Sequence, residues 1–153
     1  MDIVDSVKRS QMMSNIKGKN TKPEIIVRRY LHAVGFRFRL HSKGLPGCPD
    51  IVLKKYRLII FVHGCFWHRH EGCAYKTMPS SQTEFWEKKF SNNVERDNRQ
   101  IDELLHSGWR VLVIWECGVK HSRIDFESLQ NLIKGKERRM VWPLKPPKEK
   151  ISL

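Results

Sequence analysis

The sequence lacks any long apolar run, and this absence excludes a protein that spans a membrane. No stretch approaches the roughly 18 apolar residues that a membrane helix needs. The first residues also lack the basic-then-apolar pattern of a secretory signal peptide. A cytoplasmic protein with no membrane partner is therefore expected. Cysteine is scarce too, with four in the chain, and in a reducing compartment these are expected to be thiols or metal ligands rather than disulfides.

Acidic residues are few relative to basic ones, which indicates the kind of partner. The chain has 153 residues, with 29 Lys and Arg against 16 Asp and Glu and a formal net charge of +13. Each phosphate that a basic side chain neutralises releases counterions, so this excess favours a nucleic acid. A basic protein that is merely soluble would have the same composition. The length is typical of one domain with a buried core.

The order of apolar patterns predicts a single-domain α/β fold with a central mixed β-sheet flanked by helices. Thr21 and Glu24 are typical of a helix start, and Gly35 is expected to end that helix. The other predicted elements are strands near 36–40, 50–53, 58–62 and 109–116, a hairpin turn at 54–57, an irregular loop over 63–82, and helices near 83–107 and 126–133. Residues 1–20 are predicted to form a basic arm with a short helix near Ser6–Ile16, and residues 21–134 the folded domain. A basic, Pro-rich and loosely held tail is expected over residues 135–153.

Thiols and imidazoles are concentrated in the turn-rich segment that follows the third strand. Cys65, His70 and Cys73 form a Cys-x4-His-x2-Cys pattern, and Cys117 ends the strand expected to lie beside it. Zinc takes four tetrahedral nitrogen or sulfur ligands in a closed structural site. We expect these four residues to hold structural Zn²⁺. Buried cysteines and surface histidines without a metal are the alternative.

A second group combines carboxylates with an imidazole. Asp50 stands at the start of one strand, and the next strand ends at Val62. Pairing of these strands would bring the Asp50 carboxylate near the Val62 backbone carbonyl. Oxygen ligands of this kind suit Mg²⁺. His68 could deprotonate an attacking water, and Asp97 on the long helix could orient the imidazole. Glu24 could approach the same sheet edge. Each residue alone has an ordinary explanation as a turn, cap or charged-face residue, so only their joint placement favours hydrolysis.

Aromatic and basic residues form the third group. Phe66 and Trp67 lie in a polar loop, and Trp86 opens the long helix. Such aromatics can stack on bases or wedge between them, and core packing is an equally weighted alternative. Three other aromatics are expected only in the core: Phe61, Trp109 and Trp115. The long helix carries candidates for phosphate or base contacts, although a solvated face would look the same: Lys88, Lys89, Asn92, Asn93, Arg96 and Arg99.

Together these motifs resemble the very-short-patch repair endonucleases of bacteria (the Vsr family), which belong to the wider PD-(D/E)XK nuclease fold. The matching segments run in order across roughly residues 8–118: LPGCPD at 45–50, FVHGCFWH at 61–68, TEFW at 83–86, NVERD at 93–97, and GWRV through WEC at 108–117. Histidines stand where the wider nuclease motif has a second acidic residue and a lysine, so His63 joins the candidate catalytic residues. Val62 stands in place of a threonine and Cys48 in place of an arginine.

The resemblance implies a monomeric, Mg²⁺-dependent endonuclease that nicks one strand of double-stranded DNA at T·G mismatches arising from 5-methylcytosine deamination. Residues 21–134 would then be the nuclease domain, acting at the bacterial nucleoid with mismatch-repair proteins as candidate partners. It implies Mg²⁺ on Asp50 and the Val62 carbonyl, His68 as general base before Asp97, and the four Zn²⁺ ligands above. Candidate DNA-binding residues are Phe66, Trp67, Trp86, Lys89, Asn93 and Arg96. A zinc-stabilised DNA-binding module without catalysis and a restriction-type nuclease that cuts matched sites are the alternatives.

Overall fold

The computed structural model describes residues 20–121 and 126–150. The predicted short helix near Ser6–Ile16, and the basic arm up to residue 19, lie outside the described residues. Within the described part, no helix is long and apolar enough to cross a membrane.

The described part of the chain contains four α-helices and five strands. The helices are α1 (Lys22–Ala33), α2 (Thr83–His106), α3 (Glu116–His121) and α4 (Glu127–Lys134). The strands are β1 (Arg39–Leu40), β2 (Ile51–Leu53), β3 (Leu58–His63), β4 (Arg110–Trp115) and β5 (Arg139–Trp142). A short 3₁₀ turn over Lys54–Tyr56 joins β2 to β3, where the sequence predicts a hairpin turn.

The strands form one mixed sheet in the order β1-β2-β3-β4-β5. The β1/β2 and β2/β3 pairs are antiparallel, whereas β3/β4 and β4/β5 are parallel. Alternate strand residues face opposite sides, so Leu58 and Ile60 pack against α1 and α4 while Ile59 and Phe61 pack against α2. The predicted α/β architecture with a mixed sheet is therefore confirmed.

The first helix begins and ends where its sequence predicts. The Thr21 hydroxyl accepts a hydrogen bond from the Glu24 backbone N–H at 3.4 Å, which caps one of the free amides of the first turn. Gly35 follows the helix with φ of 99°, a left-handed conformation that glycine adopts without a Cβ clash. Val27 and Leu31 are fully buried in the core, and this packing fixes the position of the first turn against the sheet.

The prediction of a half-buried strand over 36–40 is largely wrong. Only Arg39 and Leu40 pair with β2, and both are exposed. The partner strand β2 has three residues, and two of them pair with β1, so the ladder is short. Phe36 is buried before the strand begins, packing edge-on against Tyr56 at 5.6 Å, and its apolar character reflects this contact rather than a sheet face.

The prediction of a loosely held tail after residue 134 is also wrong for residues 139–142. These residues form β5, which pairs in parallel with β4 and adds a fifth strand to the sheet beyond the predicted domain boundary. Met140 and Trp142 point into the core, and Arg139 and Val141 are exposed. The pattern was missed because only two buried side chains stand among many lysines and arginines. Helix α3 was not predicted either.

Candidate active site

A cleft of about 710 Å³ opens where the start of β2 lies beside the end of β3. Because β2 and β3 are antiparallel, residues before β2 meet residues after β3 at one edge of the sheet. Four of the five predicted catalytic residues line this cleft: Asp50, His63, His68 and Asp97. The fifth, Glu24, is buried in the first turn of α1, close to Asp50.

Asp50 is held against the backbone of β3. Its Oδ2 accepts a hydrogen bond from the Val62 N–H at 2.8 Å, so the contact is with the amide rather than the carbonyl. In an antiparallel ladder the N–H and C=O of one residue point toward the same neighbouring strand, so the Val62 carbonyl faces the side on which Asp50 lies. Burial raises the pKa of Asp50 to about 8; the Val62 bond opposes this rise, and the neighbouring Glu24 carboxylate adds to it.

Glu24 is more than a capping residue, because its carboxylate is 1% exposed and both of its oxygens have hydrogen-bond partners. Oε2 accepts from the Asn20 N–H and from Arg28 Nη1, both at 3.0 Å. His41 Nε2 lies 3.0 Å from Oε1 and 3.1 Å from Oε2. Single ligand atoms of Glu24, His41 and Asp50 lie within 4.8 Å of one another, so these groups could hold a cation together.

An imidazole and a carboxylate form a short pair elsewhere in the same cleft. His68 Nδ1 lies 2.6 Å from Asp97 Oδ2, which fixes the ring from the long helix α2. Burial alone would raise the pKa of Asp97, but the hydrogen bond and charge of His68 bring it below its ordinary value. The ionised Asp97 can therefore stabilise a proton on His68.

His63 stacks face to face on His68, with ring centres 3.8 Å apart and planes 5° from parallel. Burial, together with a smaller effect of the neighbouring His68, lowers the pKa of His63 to about 3. His63 therefore stays neutral at physiological pH and presents a flat, uncharged surface to His68. A neutral stacked ring orients the His68 imidazole without competing for its proton.

The predicted zinc ligands converge on one buried point. The ligand atoms of Cys65, His70, Cys73 and Cys117 all lie within 4.8 Å of one another. His70 Nδ1 is 3.6 Å from Cys65 Sγ and 3.4 Å from Cys117 Sγ. Zinc bonds of about 2.3 Å to sulfur and 2.0 Å to nitrogen give a tetrahedral S···N edge of about 3.5 Å. These donor atoms therefore fit a tetrahedral zinc ion.

The thiols of this cluster cannot all ionise by themselves. A hydrogen bond from Cys117 is the largest cause that lowers the pKa of Cys65, to about 4. The same bond and the Cys65 charge raise the pKa of Cys117, and burial raises the pKa of Cys73. A bound dication would remove this conflict by compensating several thiolates at once.

Trp115 joins the cysteine cluster to the cleft, although the sequence places it only in the core. Its ring stacks on His70 at 4.2 Å and 5°, and it meets His63 edge-on at 5.4 Å. A shift of the loop that carries Cys65, His70 and Cys73 would therefore be passed to the histidines of the cleft. The sequence contains no local signal of this role, since His63 reaches Trp115 from β3 and His70 reaches it from the irregular loop.

The three predicted wedge aromatics form a partly exposed cluster beside the cleft. Phe66 contacts Trp67 at 5.0 Å and Trp86 at 6.0 Å, above the buried Phe90. Phe85, which the sequence reasoning missed, is 58% exposed next to Trp86. One side of the cluster therefore packs on the core and the other side is exposed, so the cluster combines features of the two predicted alternatives, core packing and a wedge that enters DNA.

The polar candidates on α2 divide into two kinds. Asn93 Nδ2 donates to the Trp67 carbonyl at 3.2 Å, so this side chain fixes the aromatic loop onto α2. Lys89 and Arg96 are exposed, and Arg96 lines the cleft beside Asp97. Arg69, another missed residue, lies 4.0 Å over the Phe90 ring and donates to the Phe66 carbonyl.

Comparison with known proteins gives consistent matches. The family model described as DNA mismatch endonuclease Vsr matches residues 1–75. The type II nicking enzyme V.XorIIP of Xanthomonas oryzae pv. oryzae is 47% identical over 132 residues, covering 86% of this chain and 96% of that protein. V.NmeAIP of Neisseria meningitidis, also a type II nicking enzyme, is 44% identical over 133 residues, covering 87% and 94%. DNA mismatch endonuclease Vsr of Escherichia coli is 44% identical over 119 residues, covering 78% and 76%.

Proposed function

The chain belongs to the Vsr family of DNA mismatch endonucleases, with their PD-(D/E)XK-like fold, and from this premise we propose that it nicks one strand of duplex DNA at T·G mismatches. The mismatches would arise by deamination of 5-methylcytosine, and the protein would act as a monomer. Mismatch-repair proteins are its candidate partners. The observation that carries the proposal is the meeting of a carboxylate pair, Asp50 with Glu24, and an imidazole–carboxylate pair, His68 with Asp97, at one cleft.

His68 is the general base in this proposal. Asp97 occupies Nδ1, which leaves Nε2 as the nitrogen that accepts a proton from the attacking water. The carboxylate of Asp97 then stabilises the imidazolium, and the neutral His63 ring keeps it in plane. Hydrolysis forms a bond between the water oxygen and phosphorus and breaks one P–O bond to a sugar oxygen, which takes up a proton from solvent as it leaves; one such event cuts one strand.

Asp50 and the Val62 backbone carbonyl would hold Mg²⁺, with the Glu24 carboxylate close enough to bind one of its waters. Hard oxygen donors and room for water and phosphate oxygens suit this ion. Bound Mg²⁺ would supply electrostatic stabilisation of the charge that develops on the phosphate and the leaving oxygen. Zn²⁺ would be held by Cys65, His70, Cys73 and Cys117 in a purely structural role.

Recognition would depend on deformation of the duplex. The exposed rim of Phe66, Trp67 and Trp86 can enter a base step, and unstacking costs least at a mismatched pair. Lys89 and Arg96 on α2 would contact phosphates, and Asn93 would support the wedge through its bond to the Trp67 carbonyl. This arrangement supplies a physical reason for preferring T·G over matched DNA.

One gel tests the proposal against its alternatives. A T·G duplex with the two strands separately labelled should be nicked only in the thymine strand, at least about 100-fold faster than a matched duplex, because wedge insertion is cheaper at the mismatch. The reaction should require added Mg²⁺. Equal cutting of both strands of a matched duplex would instead identify a restriction-type nuclease. Tight binding without cleavage at any Mg²⁺ concentration would identify a DNA-binding module.

The Mg²⁺ affinity should depend on pH because of Asp50. Its pKa in the metal-free protein is about 8, so Mg²⁺ must displace a proton below that pH. The apparent association constant is expected to rise about tenfold per pH unit from pH 6 to 8 and to level off above pH 8. Calorimetric titration of the protein without DNA measures this directly, free of the titration of His68 in catalysis. A Glu103→Gln variant, altered on the exposed face of α2, should give the same curve, and a flat profile would refute the coupling.

A further inference from the structure

His41 lies just after β1 and reaches the buried Glu24 carboxylate from the sheet side. Its Nε2 is 3.0 and 3.1 Å from the two carboxylate oxygens. Its backbone N–H donates to the carbonyl of Asp50 at 3.1 Å. One residue therefore contacts both members of the carboxylate pair, Glu24 through its side chain and Asp50 through its backbone. Its side chain is 20% exposed and lines the cleft.

The backbone of His41 is strained to make these contacts. Its φ is 47°, in the left-handed region that is unfavourable for a residue with a Cβ. Such a conformation persists only where surrounding contacts over-determine it. Here the imidazole contacts with the Glu24 carboxylate and the backbone bond to the Asp50 carbonyl hold His41 in this conformation.

The other partners of Glu24 act from a different direction. Asn20 and Arg28 both donate to Oε2, and they lie before and along α1 itself. The imidazole of His41 contacts both oxygens and belongs to the cleft wall. Without the His41 imidazole, the Glu24 carboxylate could rotate about its Cγ–Cδ bond, toward Arg28 and away from Asp50.

We propose that His41 is a positioning residue for the metal-binding carboxylates. It holds the Glu24 carboxylate in the orientation that faces Asp50, so that Asp50 can bind a divalent cation while Glu24 binds one of the waters of that cation. This inference rests on the proposed function, because it takes Asp50 as a ligand of the cation and Glu24 as the carboxylate that binds one of its waters. His41 itself touches neither the scissile phosphate nor the attacking water in this role.

Two substitutions separate the hydrogen bond from the backbone conformation. His41→Gln keeps a nitrogen donor at similar reach. His41→Asn tolerates the left-handed backbone as well as any non-glycine residue, but its amide stops short of Glu24. Mg²⁺ binding to the DNA-free protein is measured by calorimetry for both variants. His41→Asn should weaken Mg²⁺ binding about tenfold, as loss of a residue that orients a metal ligand does, and His41→Gln should stay within about twofold of the wild type.

Nicking adds a second readout. For His41→Asn, the Mg²⁺ concentration at half-maximal rate should rise by about the same tenfold, while the rate at saturating Mg²⁺ stays within about threefold of the wild type. Thermal unfolding without Mg²⁺ checks that each variant is folded, and His41→Gly, which accepts a positive φ freely, replaces His41→Asn if that variant does not fold. Wild-type Mg²⁺ affinity in His41→Asn, or equal loss in His41→Gln and His41→Asn, would overturn the positioning role.

Mg²⁺ binding by the Asp50→Asn variant distinguishes a failure of this inference from a failure of the proposed function. If Asp50→Asn binds Mg²⁺ as the wild type does, the proposed metal site is wrong whatever His41 does. If Asp50→Asn loses Mg²⁺ and His41→Asn retains it, the metal site stands and only the positioning role of His41 fails.

Discussion

Replacing Asp50 with Asn should reduce the rate of T·G nicking by about 1,000-fold or more while changing duplex affinity by less than about threefold. Asn has the shape of Asp and can still accept the Val62 N–H bond, which measures 2.8 Å. It removes the negative charge that would bind Mg²⁺, so the chemical step loses its charge stabilisation. The wedge aromatics and the basic face of α2 are untouched, and binding should therefore survive. Single-turnover nicking and fluorescence anisotropy measure the two quantities separately.

The matched control for this variant is Glu103→Gln, which removes an exposed carboxylate from α2. Its nicking rate should equal that of the wild type, which shows that loss of any one negative charge is not sufficient. Undiminished nicking by Asp50→Asn in ordinary Mg²⁺ would remove this carboxylate from the mechanism. Equal loss of nicking and of duplex binding would assign Asp50 to DNA recognition instead.

The same substitution should stabilise the protein in the absence of Mg²⁺. The pKa of Asp50 is raised to about 8 in the folded state, so the folded state retains a proton that the unfolded state releases near pH 4. The stabilising contribution of this group is therefore complete below about pH 4 and is lost as pH rises through 8. Asn carries no charge at any pH, so the melting temperature of Asp50→Asn should exceed that of the wild type by on the order of 10 °C at pH 8 and by much less at pH 5.

Local sequence signals account for much of the cleft. The Thr21 cap locates the start of α1, and the turn residues between β2 and β3 force an antiparallel pair. These two facts bring Asp50 beside Val62 and bring Glu24 near the same edge. The Cys-x4-His-x2-Cys spacing likewise anticipates a cluster that the structure brings together with Cys117. Where a motif is local, its geometry follows from chain stereochemistry.

The features that were missed depend on contacts between distant segments. His41 has no motif, and its contact with Glu24 joins the residue after β1 to the first turn of α1, far away in the sequence. Trp115 reads as an apolar strand residue, yet its ring stacks on His70 from the irregular loop. Strand β5 is hidden among charged residues because an edge strand needs few buried side chains. No local pattern distinguishes these residues from ordinary core or surface positions.

Replacing Cys117 with Ser should lower the melting temperature by more than about 10 °C and abolish nicking, because metal binding at such a site supplies folding free energy, on the order of 10 kcal/mol for small zinc modules. The loop that carries His68, Phe66 and Trp67 contains no strand or helix between β3 and α2. Cys117, at the start of α3, is the predicted zinc ligand that lies outside this loop. Loss of that ligand frees the loop from the sheet.

Cys48→Ser is the matched control, since it makes the same chemical change at an exposed cysteine outside the cluster. Cys48→Ser should keep one zinc per chain by elemental analysis and have the melting temperature of the wild type. Cys117→Ser should instead lose zinc in proportion to its loss of stability. The effect should also reach the cleft, because Trp115 packs on His70 on one side and on His63 on the other. A Cys117→Ser protein that retained zinc, melting temperature and nicking would show that this cluster is a set of buried thiols, and that the loop is held by packing alone.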